Sequence, residues 1–309
     1  MIVVAVPTFK RPAALEGALA IVSQQVDQLN AAGDDRYRVL VVDNDAAGSG
    51  REAAARFGVS YVIERTPGIA AVRNRALDDS TDADAVVFLD DDELPEPDWL
   101  RNLVEMHRAT NAHAVAGRVI TRFPDDVEPW VAASGAFIRP VREHGQSMRE
   151  AATNNLLLDL TRIRPLALRF DERFGLTGGS DSMFTRALTA RGGTIRWAED
   201  AVVLEQEEAA RFTRAWVLMR AFRFGNTAAR VDLALAGSVG ARAGERVKTS
   251  VRGAARVVGG SGRCVWGVLT RSLQHRARGL RTAYRGAGMI AASIGYAHDE
   301  YGRRRRRPE

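Results

Sequence analysis

The chain has 309 residues, of which 46% are hydrophobic and 27% are charged, so it can bury a substantial core, and wholesale disorder is excluded. Its single cysteine, Cys264, excludes a disulfide framework and a cysteine-based zinc site, which suits a reducing cytosol. The net charge of +6 is uneven, since residues 210–309 carry 21 Lys and Arg but 5 Asp and Glu, and it indicates an acidic soluble body followed by a basic attachment region.

The first half of the chain alternates short apolar runs with helical patterns. Nearly continuous Val, Ile and Leu runs are typical of strands that are covered on both faces, and strand–helix alternation indicates an α/β fold with an open parallel sheet. The start shows no pattern of a secretory signal. The predicted strands are 2–7, which Pro7 ends, 37–45, 59–64 and 83–92, and the predicted helices are 12–29, 50–57, 67–79 and 97–110.

The second half changes character near residue 210. Before that point the pattern predicts strands at 114–123 and 153–160, a Gly-rich loop from 175, a helix over 181–191 and two strands before 206. After it, arginines alternate with apolar residues, and five arginines close the chain at 303–307. The apolar segments are shorter than the roughly 20 residues needed to cross a bilayer.

Three consecutive carboxylates, Asp90, Asp91 and Asp92, stand at the end of the fourth predicted strand in "VVFLDDDELPEPDWL". Thr8 follows the first predicted strand and Asp43 lies near the end of the second, and ligands of open parallel sheets bind at the carboxyl ends of their strands. Mg²⁺ or Mn²⁺ is commonly held by one or two carboxylates together with substrate phosphates. The motif therefore predicts a metal and nucleotide site, while a solvated acidic turn is the alternative for the motif taken alone.

Five segments occur in a fixed order, namely "VAVPTFKRP", "VVDND", "PGIAAVRNRAL", "VVFLDDDELPEPDWL" and "GLTGGSDSMF". Together they resemble the family 2 glycosyltransferases, which have the GT-A fold, an open mostly parallel sheet with flanking helices. The stretch "AVVLEQEEAARFTRAWVLMRAFRFGN" is similar to the subgroup of bacterial succinoglycan-type β-glucosyltransferases. The resemblance implies a GT-A catalytic domain over 1–226, followed by a basic helical membrane-associating region over 227–309.

The resemblance also implies roles for the acidic residues. Asp92 would ligate the metal together with Asp90, and Asp90 or Asp91 would contact the donor ribose or the ion. Asp181 would be the catalytic base. The family often has Glu-Asp where this chain has Ser180 and Asp181, a departure that spares the base. A helix N-cap is the alternative role for Asp181, and the two roles are compatible.

Donor-binding residues are implied in the same way. The backbone at Pro7 and Thr8 and the carboxylate of Asp43 would hold the nucleobase. Arg73 and Asn74 would lie beside the base and the diphosphate.

The function implied is a metal-dependent, inverting transfer of a sugar from a nucleotide diphosphate, with UDP the expected carrier, to a hydroxyl of a saccharide or lipid-linked acceptor in cell-surface polysaccharide or glycolipid synthesis. Processive relatives carry Gln-x-x-Arg-Trp where this chain has "RFTRAW", so we expect a single addition. A sugar nucleotidyltransferase is the enzyme alternative, although "VPTFKRP" lacks the Gly-rich loop expected there. A non-catalytic membrane-binding module is the other alternative.

The basic region is expected to hold the enzyme on the inner face of the plasma membrane. Arginine-rich helices of modest hydrophobicity lie in membrane interfaces, and basic residues are attracted by anionic lipid. Nucleic acid is a rival partner that the acidic body and the lack of a recognition motif disfavour. A disordered solubilising segment is a third alternative.

Overall fold

The computed structural model describes residues 1–33, 35–124, 126–206 and 208–298, which divide into two compact units. The arginine run at 303–307 lies outside the described residues. The division expected between 226 and 227 stays a prediction, and a helix continues through that position. The first unit comprises Met1–Arg122, Arg139–Gly175 and Ser180–Gln206, and the second comprises Phe123–Ile138, Leu176–Gly179 and the described part of Glu207–Glu309.

The first unit contains one sheet, with nine strands in the described residues. The strand order is β3-β2-β1-β4-β8-β6-β9-β5, and β7 pairs with β9. Neighbours are parallel from β3 to β4 and between β6 and β9, whereas β8, β5 and β7 run antiparallel to their partners. The strands are β1 (Ile2–Thr8), β2 (Tyr37–Asp43), β3 (Ser60–Ile63), β4 (Ala85–Leu89), β5 (Glu93–Pro95), β6 (Ala114–Arg122), β7 (Ser147–Met148), β8 (Asn155–Asp159) and β9 (Ile195–Gln206).

Helices flank the sheet in the first unit and form most of the second. Helices α5 and α8 to α10 belong to the second unit. The helices are α1 (Pro12–Ala32), α2 (Arg51–Arg56), α3 (Ile69–Asp78), α4 (Trp99–Thr110), α5 (Pro129–Ser134), α6 (Leu160–Ile163), α7 (Ser180–Ala190), α8 (Arg214–Leu235), α9 (Val239–Leu269) and α10 (Leu273–Ser293).

Two of the predicted strand assignments are corrected. β1 continues through Pro7 to Thr8; its pairing with β4 spans Ile2–Ala5, so the missing N–H of Pro7 removes no hydrogen bond on that side. The two strands predicted before residue 206 are one strand, β9. β9 stays continuous because a shift in its register with β6, after Gly117, absorbs the irregularity.

Successive residues of β1 enter two different hydrophobic cores, which explains the unbroken apolar run. Val4 and Val6 pack in the core that contains side chains of α1 and α4. Val3 and Ala5 pack in the core that contains side chains of α3, α6 and α7. A strand covered by helices on both faces has no position for a solvated side chain, as the sequence predicts.

Helices α9 and α10 of the second unit approach each other through glycines that recur every seven residues. A Cβ added at Gly260 would lie 2.5 Å from the backbone nitrogen of Ala283 and 2.7 Å from the carbonyl oxygen of Gly279. A Cβ at Gly253 or Gly286 would collide in the same way with the facing backbone. The contact therefore requires glycine. None of the helices in the described residues is long and apolar enough to span a bilayer.

Gly259 and Gly260 provide a matched pair that tests this contact. We expect Gly260→Ala to destabilise the protein by roughly 1–3 kcal/mol, because the new methyl group collides with α10. Gly259→Ala should instead stabilise it by roughly 0.5–1 kcal/mol, because nothing lies within 4 Å of the added Cβ and alanine favours a helix. Chemical unfolding followed by circular dichroism measures both changes. Equal effects of the two substitutions would contradict the close packing.

Candidate active site

The carboxyl ends of β1, β2 and β4 meet at one edge of the sheet, as the sequence predicts. Thr8 at the end of β1 pairs with Asp43 at the end of β2. The Thr8 hydroxyl donates a 2.7 Å hydrogen bond to Oδ2 of Asp91, beyond the end of β4. The backbone N–H of Asn44 donates to the carbonyl oxygen of Thr8 at 2.9 Å. Polar groups from three strands are thus joined at the edge where open α/β sheets bind ligands.

Arg11 is a site residue that the sequence analysis missed. Its Nη1 lies 2.8 Å from Oδ2 of Asp92 and 3.5 Å from Oδ1 of Asp91. The guanidinium therefore compensates part of the negative charge of the acidic motif. The available signal was its place in "PTFKRP", directly after the first strand.

Burial raises the pKa values of two carboxyls in the motif. The pKa of Asp90 rises to about 7, through burial and the nearby charges of Asp92, Asp91 and Asp181, with Arg73 acting in the opposite direction. The pKa of Asp91 rises to about 6, through burial and the charge of Asp92, although the hydrogen bond from Thr8 lowers it. For both carboxyls burial is the largest cause of the rise, and the charges of neighbouring carboxylates add to it.

The fourth acidic residue, Glu93, belongs to a separate buried network. The Asn154 amide donates a hydrogen bond to Oε1 of Glu93, which is 1% exposed. Glu93 pairs across β5 and β9 with Glu205, and Arg139 donates to Glu205 at 2.5 Å. Burial and the charge of Asp90 raise the pKa of Glu93 well above its ordinary value, with Arg139 opposing them. Of the four consecutive acidic residues, Asp90, Asp91 and Asp92 therefore belong to the candidate site, and Glu93 belongs to the protein interior.

Asp43 is fully buried, and the chain itself engages its carboxylate. Oδ2 accepts hydrogen bonds from the Gly50 N–H at 2.7 Å and the Tyr61 hydroxyl at 2.8 Å, and Oδ1 accepts one from the Asp45 N–H at 2.8 Å. Burial of the Tyr61 hydroxyl and its hydrogen bond to Asp43 raise the pKa of Tyr61. Asp43 thus orders the turn between β2 and α2, and its contact with a nucleobase, like those of Pro7 and Thr8, stays a prediction.

Asn44 fixes the loop that leads into α3. Its Nδ2 donates to the carbonyl oxygens of Glu64 and Thr66 at 2.8 Å, and its Oδ1 accepts from the Gly68 N–H at 2.9 Å. Gly68 has φ +119°, and a Cβ there would lie 3.1 Å from the backbone of Gly175. The sequence analysis gave Asn44 no role, because a side chain that binds three backbone groups leaves no signature of its own.

Arg73 and Asn74, neighbours on α3, have different partners. Nη1 of the buried Arg73 donates to the Ser180 hydroxyl at 2.9 Å, and the guanidinium lies 5.7 Å from the ring centre of Phe170. Both ends of the Asn74 amide bind the backbone of Phe170, at 2.9 Å each. Arg73 therefore connects α3 to the start of α7, and Asn74 holds the preceding segment. Their contacts with a donor stay predictions.

Asp181 lies in the first turn of α7 and is half-buried. Its Oδ1 accepts a 2.7 Å hydrogen bond from the N–H of the next residue, Ser182, whereas an N-cap side chain accepts from a residue two or three positions further on. Asp181 is also close enough to Asp90 for its charge to raise the pKa of that carboxyl. The predicted base and a predicted metal ligand, 91 positions apart in the sequence, therefore share one electrostatic environment.

The carboxylates of Asp90 and Asp92 fit a hard divalent cation. They offer oxygen atoms two positions apart in the loop after β4, and the pKa of Asp90 is raised first by burial and then by the neighbouring carboxylates, whose repulsion a cation would relieve. Among the described residues, no group of three or more His, Cys, Asp and Glu side chains is arranged to hold a metal ion. The protein would therefore supply only part of a coordination shell.

Comparison with known proteins identifies the family. A model of the family described as "Glycosyl transferase family 2" matches residues 3–163. The chain belongs to this family. It is also 34% identical over 236 residues to the succinoglycan biosynthesis protein ExoM of Rhizobium meliloti (strain 1021), with 74% of each chain covered. The predicted family is confirmed, and a transferase is supported over a sugar nucleotidyltransferase or a non-catalytic module.

Solved structures confirm the GT-A fold of this family 2 glycosyltransferase. The mannosyltransferase PcManGT from Pyrobaculum calidifontis, solved with GDP-Man and Mn²⁺, has a TM-score of 0.58 at 20% identity, covering 94% of this chain and 86% of that one. TarS 1–349 from S. aureus has a TM-score of 0.51 at 12% identity, covering 92% and 91%. The chain spans 42% of the longer TarS chain.

The raised pKa of Asp90 predicts a pH-dependent gain in stability for Asp90→Asn without metal. The folded pKa of about 7 exceeds the unfolded value, so the ionised carboxyl destabilises the folded state as pH rises. The variant should melt several degrees above wild type at about pH 8, and this gap should shrink towards about pH 5. Asp200→Asn, at a 73% exposed side chain, is the control. A gap independent of pH would contradict the buried-charge account.

Proposed function

We propose that this protein is a metal-dependent inverting glycosyltransferase that moves a single sugar from UDP to a hydroxyl of a saccharide or lipid-linked acceptor. The acceptor belongs to cell-surface polysaccharide or glycolipid synthesis, as the relationship to a succinoglycan biosynthesis protein suggests. The enzyme works at the inner face of the plasma membrane. The observation that supports the proposal is that Asp181 lies close enough to Asp90 to raise its pKa, so the proposed base and a proposed metal ligand share one electrostatic environment.

In the proposed reaction the acceptor oxygen bonds to the anomeric carbon while the bond from that carbon to the diphosphate oxygen breaks. Asp181 takes the proton of the acceptor hydroxyl, and UDP leaves from the opposite face. One displacement inverts the anomeric centre without a covalent intermediate. When bound by Asp90 and Asp92, Mg²⁺ or Mn²⁺ supplies positive charge that stabilises the departing diphosphate.

Arg73 is proposed to lie beside the diphosphate. Nε of Arg73 is buried and has no hydrogen-bond partner among the described residues, although Nη1 binds Ser180. A buried donor without a partner is rare in folded proteins, and a phosphate oxygen is a suitable acceptor for it. The same side chain is connected to the start of the helix that carries Asp181. Arg73 would thus couple donor binding to the position of the base.

Calorimetric titration with UDP, GDP and dTDP, each with and without Mn²⁺, tests the proposal and the carrier. We expect UDP to bind only when Mn²⁺ is present. Binding of GDP alone would change the donor class, in line with the GDP-Man complex of PcManGT. Failure of all three to bind to folded protein would overturn the proposal.

Asp92→Ala should weaken Mn²⁺-dependent UDP binding by at least about tenfold, because it removes a direct ligand. The same titration measures the effect. Asp200→Ala changes an exposed carboxylate of the same unit and should bind as wild type does. Unchanged affinity in Asp92→Ala, with the melting temperature preserved, would remove Asp92 from the metal site.

Asp181→Asn should keep UDP binding and lose catalysis by about 10²–10⁴-fold, because the amide cannot accept the proton. Hydrolysis of a radiolabelled UDP-sugar gives a readout that does not need the acceptor. The amide oxygen can still accept the hydrogen bond from the Ser182 N–H, so the start of α7 should be preserved. Turnover at the wild-type rate would exclude Asp181 as the base.

A further inference from the structure

An exposed apolar face runs along α9 in the second unit. Val251, Val258 and Val265, seven residues apart, are 64%, 73% and 58% exposed. Trp266 and Leu269 extend the face and are 58% and 73% exposed. The helix has 31 residues and is therefore about 46 Å long. Large apolar side chains in one row are typical of a surface that meets a partner.

The packing of α9 explains why this face is open. The helix meets α10 through Gly253, Gly260 and Gly267, whose missing side chains let the two backbones approach closely. Ser250 donates a 2.8 Å hydrogen bond to Ser293 at one end of the same contact. Close approach along a row of small residues uses a narrow strip of the helix. The valines lie on another side and have no role in that contact.

The hairpin of α9 and α10 is strongly basic. Between residues 239 and 293 the sequence has eleven Lys and Arg and one acidic residue, Glu245. Glu245 pairs with Lys248 at 3.0 Å. On α9 itself, Arg252, Arg256 and Arg263 follow a helical spacing of their own and share one side. The hairpin that carries the apolar row therefore has a positive charge that few acidic side chains compensate.

We propose that this face of α9 lies in the plane of an anionic lipid bilayer. The valines, Trp266 and Leu269 would enter the boundary between head groups and acyl chains, while the net positive charge of the hairpin attracts it to the anionic surface. A helix that lies in the interface does not need the length and apolar character of a spanning helix. This inference deepens the proposed function, since it rests on the placement of the enzyme at the plasma membrane and assigns the contact to one surface.

Two other occupants fit the charge less well. A second copy would bring one basic hairpin against another, and like charges across an interface oppose association. Nucleic acid would neutralise the arginines but leave the valine row exposed to water. An anionic membrane satisfies both features, because it offers negative head groups and an apolar layer beneath them.

Sedimentation of the full chain with vesicles tests the proposal. We expect binding to phosphatidylglycerol–phosphatidylcholine vesicles, weaker binding to phosphatidylcholine alone, and partial release by high salt. Val258→Asp should reduce binding to the anionic vesicles by about tenfold or more, because it places a charge in the apolar row. Val141→Asp is the matched control, since this valine is 60% exposed and lies in the first unit.

Each outcome bears on the face itself. Loss of binding in Val258→Asp and its retention in Val141→Asp, with circular dichroism unchanged in both, would support the assignment. Equal binding of all three proteins, or no binding by wild type, would overturn it. A wild-type dimer that Val258→Asp converts to a monomer, measured by light scattering, would assign the face to a second copy instead. Because Asp181→Asn should bind vesicles as wild type does, failure of this inference and failure of the proposed chemistry are distinguishable.

Discussion

The negative charge of the carboxylates that follow β4 has to be compensated at a place where little water reaches it. Much of the first unit is arranged around this requirement. Compensation comes from three distant parts of the chain. Thr8 contributes a hydroxyl from the end of β1, Arg11 an ion pair from the residues before α1, and Arg73 a buried positive charge from α3. Only a sheet that places β1 beside β4 brings these groups together. The strand order therefore decides which groups can compensate the negative charge of the site.

The position of Arg73 depends on packing further from the carboxylates. Asn44 holds the loop before α3 by three backbone hydrogen bonds, and the close approach of Gly68 to Gly175 fixes the first turn of that helix. From there Arg73 reaches Ser180, at the start of α7. A change in the loop after β3 would thus be felt at the helix that carries the proposed base. Such indirect connections allow residues without substrate contact to influence an active site.

The parts of the fold and of the site that could be predicted are those that leave a local pattern in the amino-acid sequence. The four parallel strands appear as unbroken apolar runs, and the carboxylates of Asp90 and Asp92 stand at the end of one of them. The antiparallel β8 between β4 and β6 was not predictable, because strand order depends on long-range pairing. The burial of Glu93 was not predicted for the same reason, since it depends on contacts with Asn154 and with strand β9, which are distant in the sequence. The sequence analysis did not note the seven-residue glycine repeat of α9, because its meaning depends on close contacts with the partner helix α10.

The glycines of α9 also bear on how that helix is stabilised. Each helical glycine costs roughly 0.5–1 kcal/mol relative to alanine. The close packing of Gly260 against α10 offsets this cost. Gly259 and Gly262 have nothing within 4 Å of an added Cβ, so in the described structure no packing contact offsets their cost. A helix of low intrinsic propensity depends on tertiary contacts, and α9 contacts α10 along only a narrow strip. The proposed membrane contact would cover the valine row and add to the stabilisation of α9, so under that proposal the folding of α9 and membrane binding are coupled.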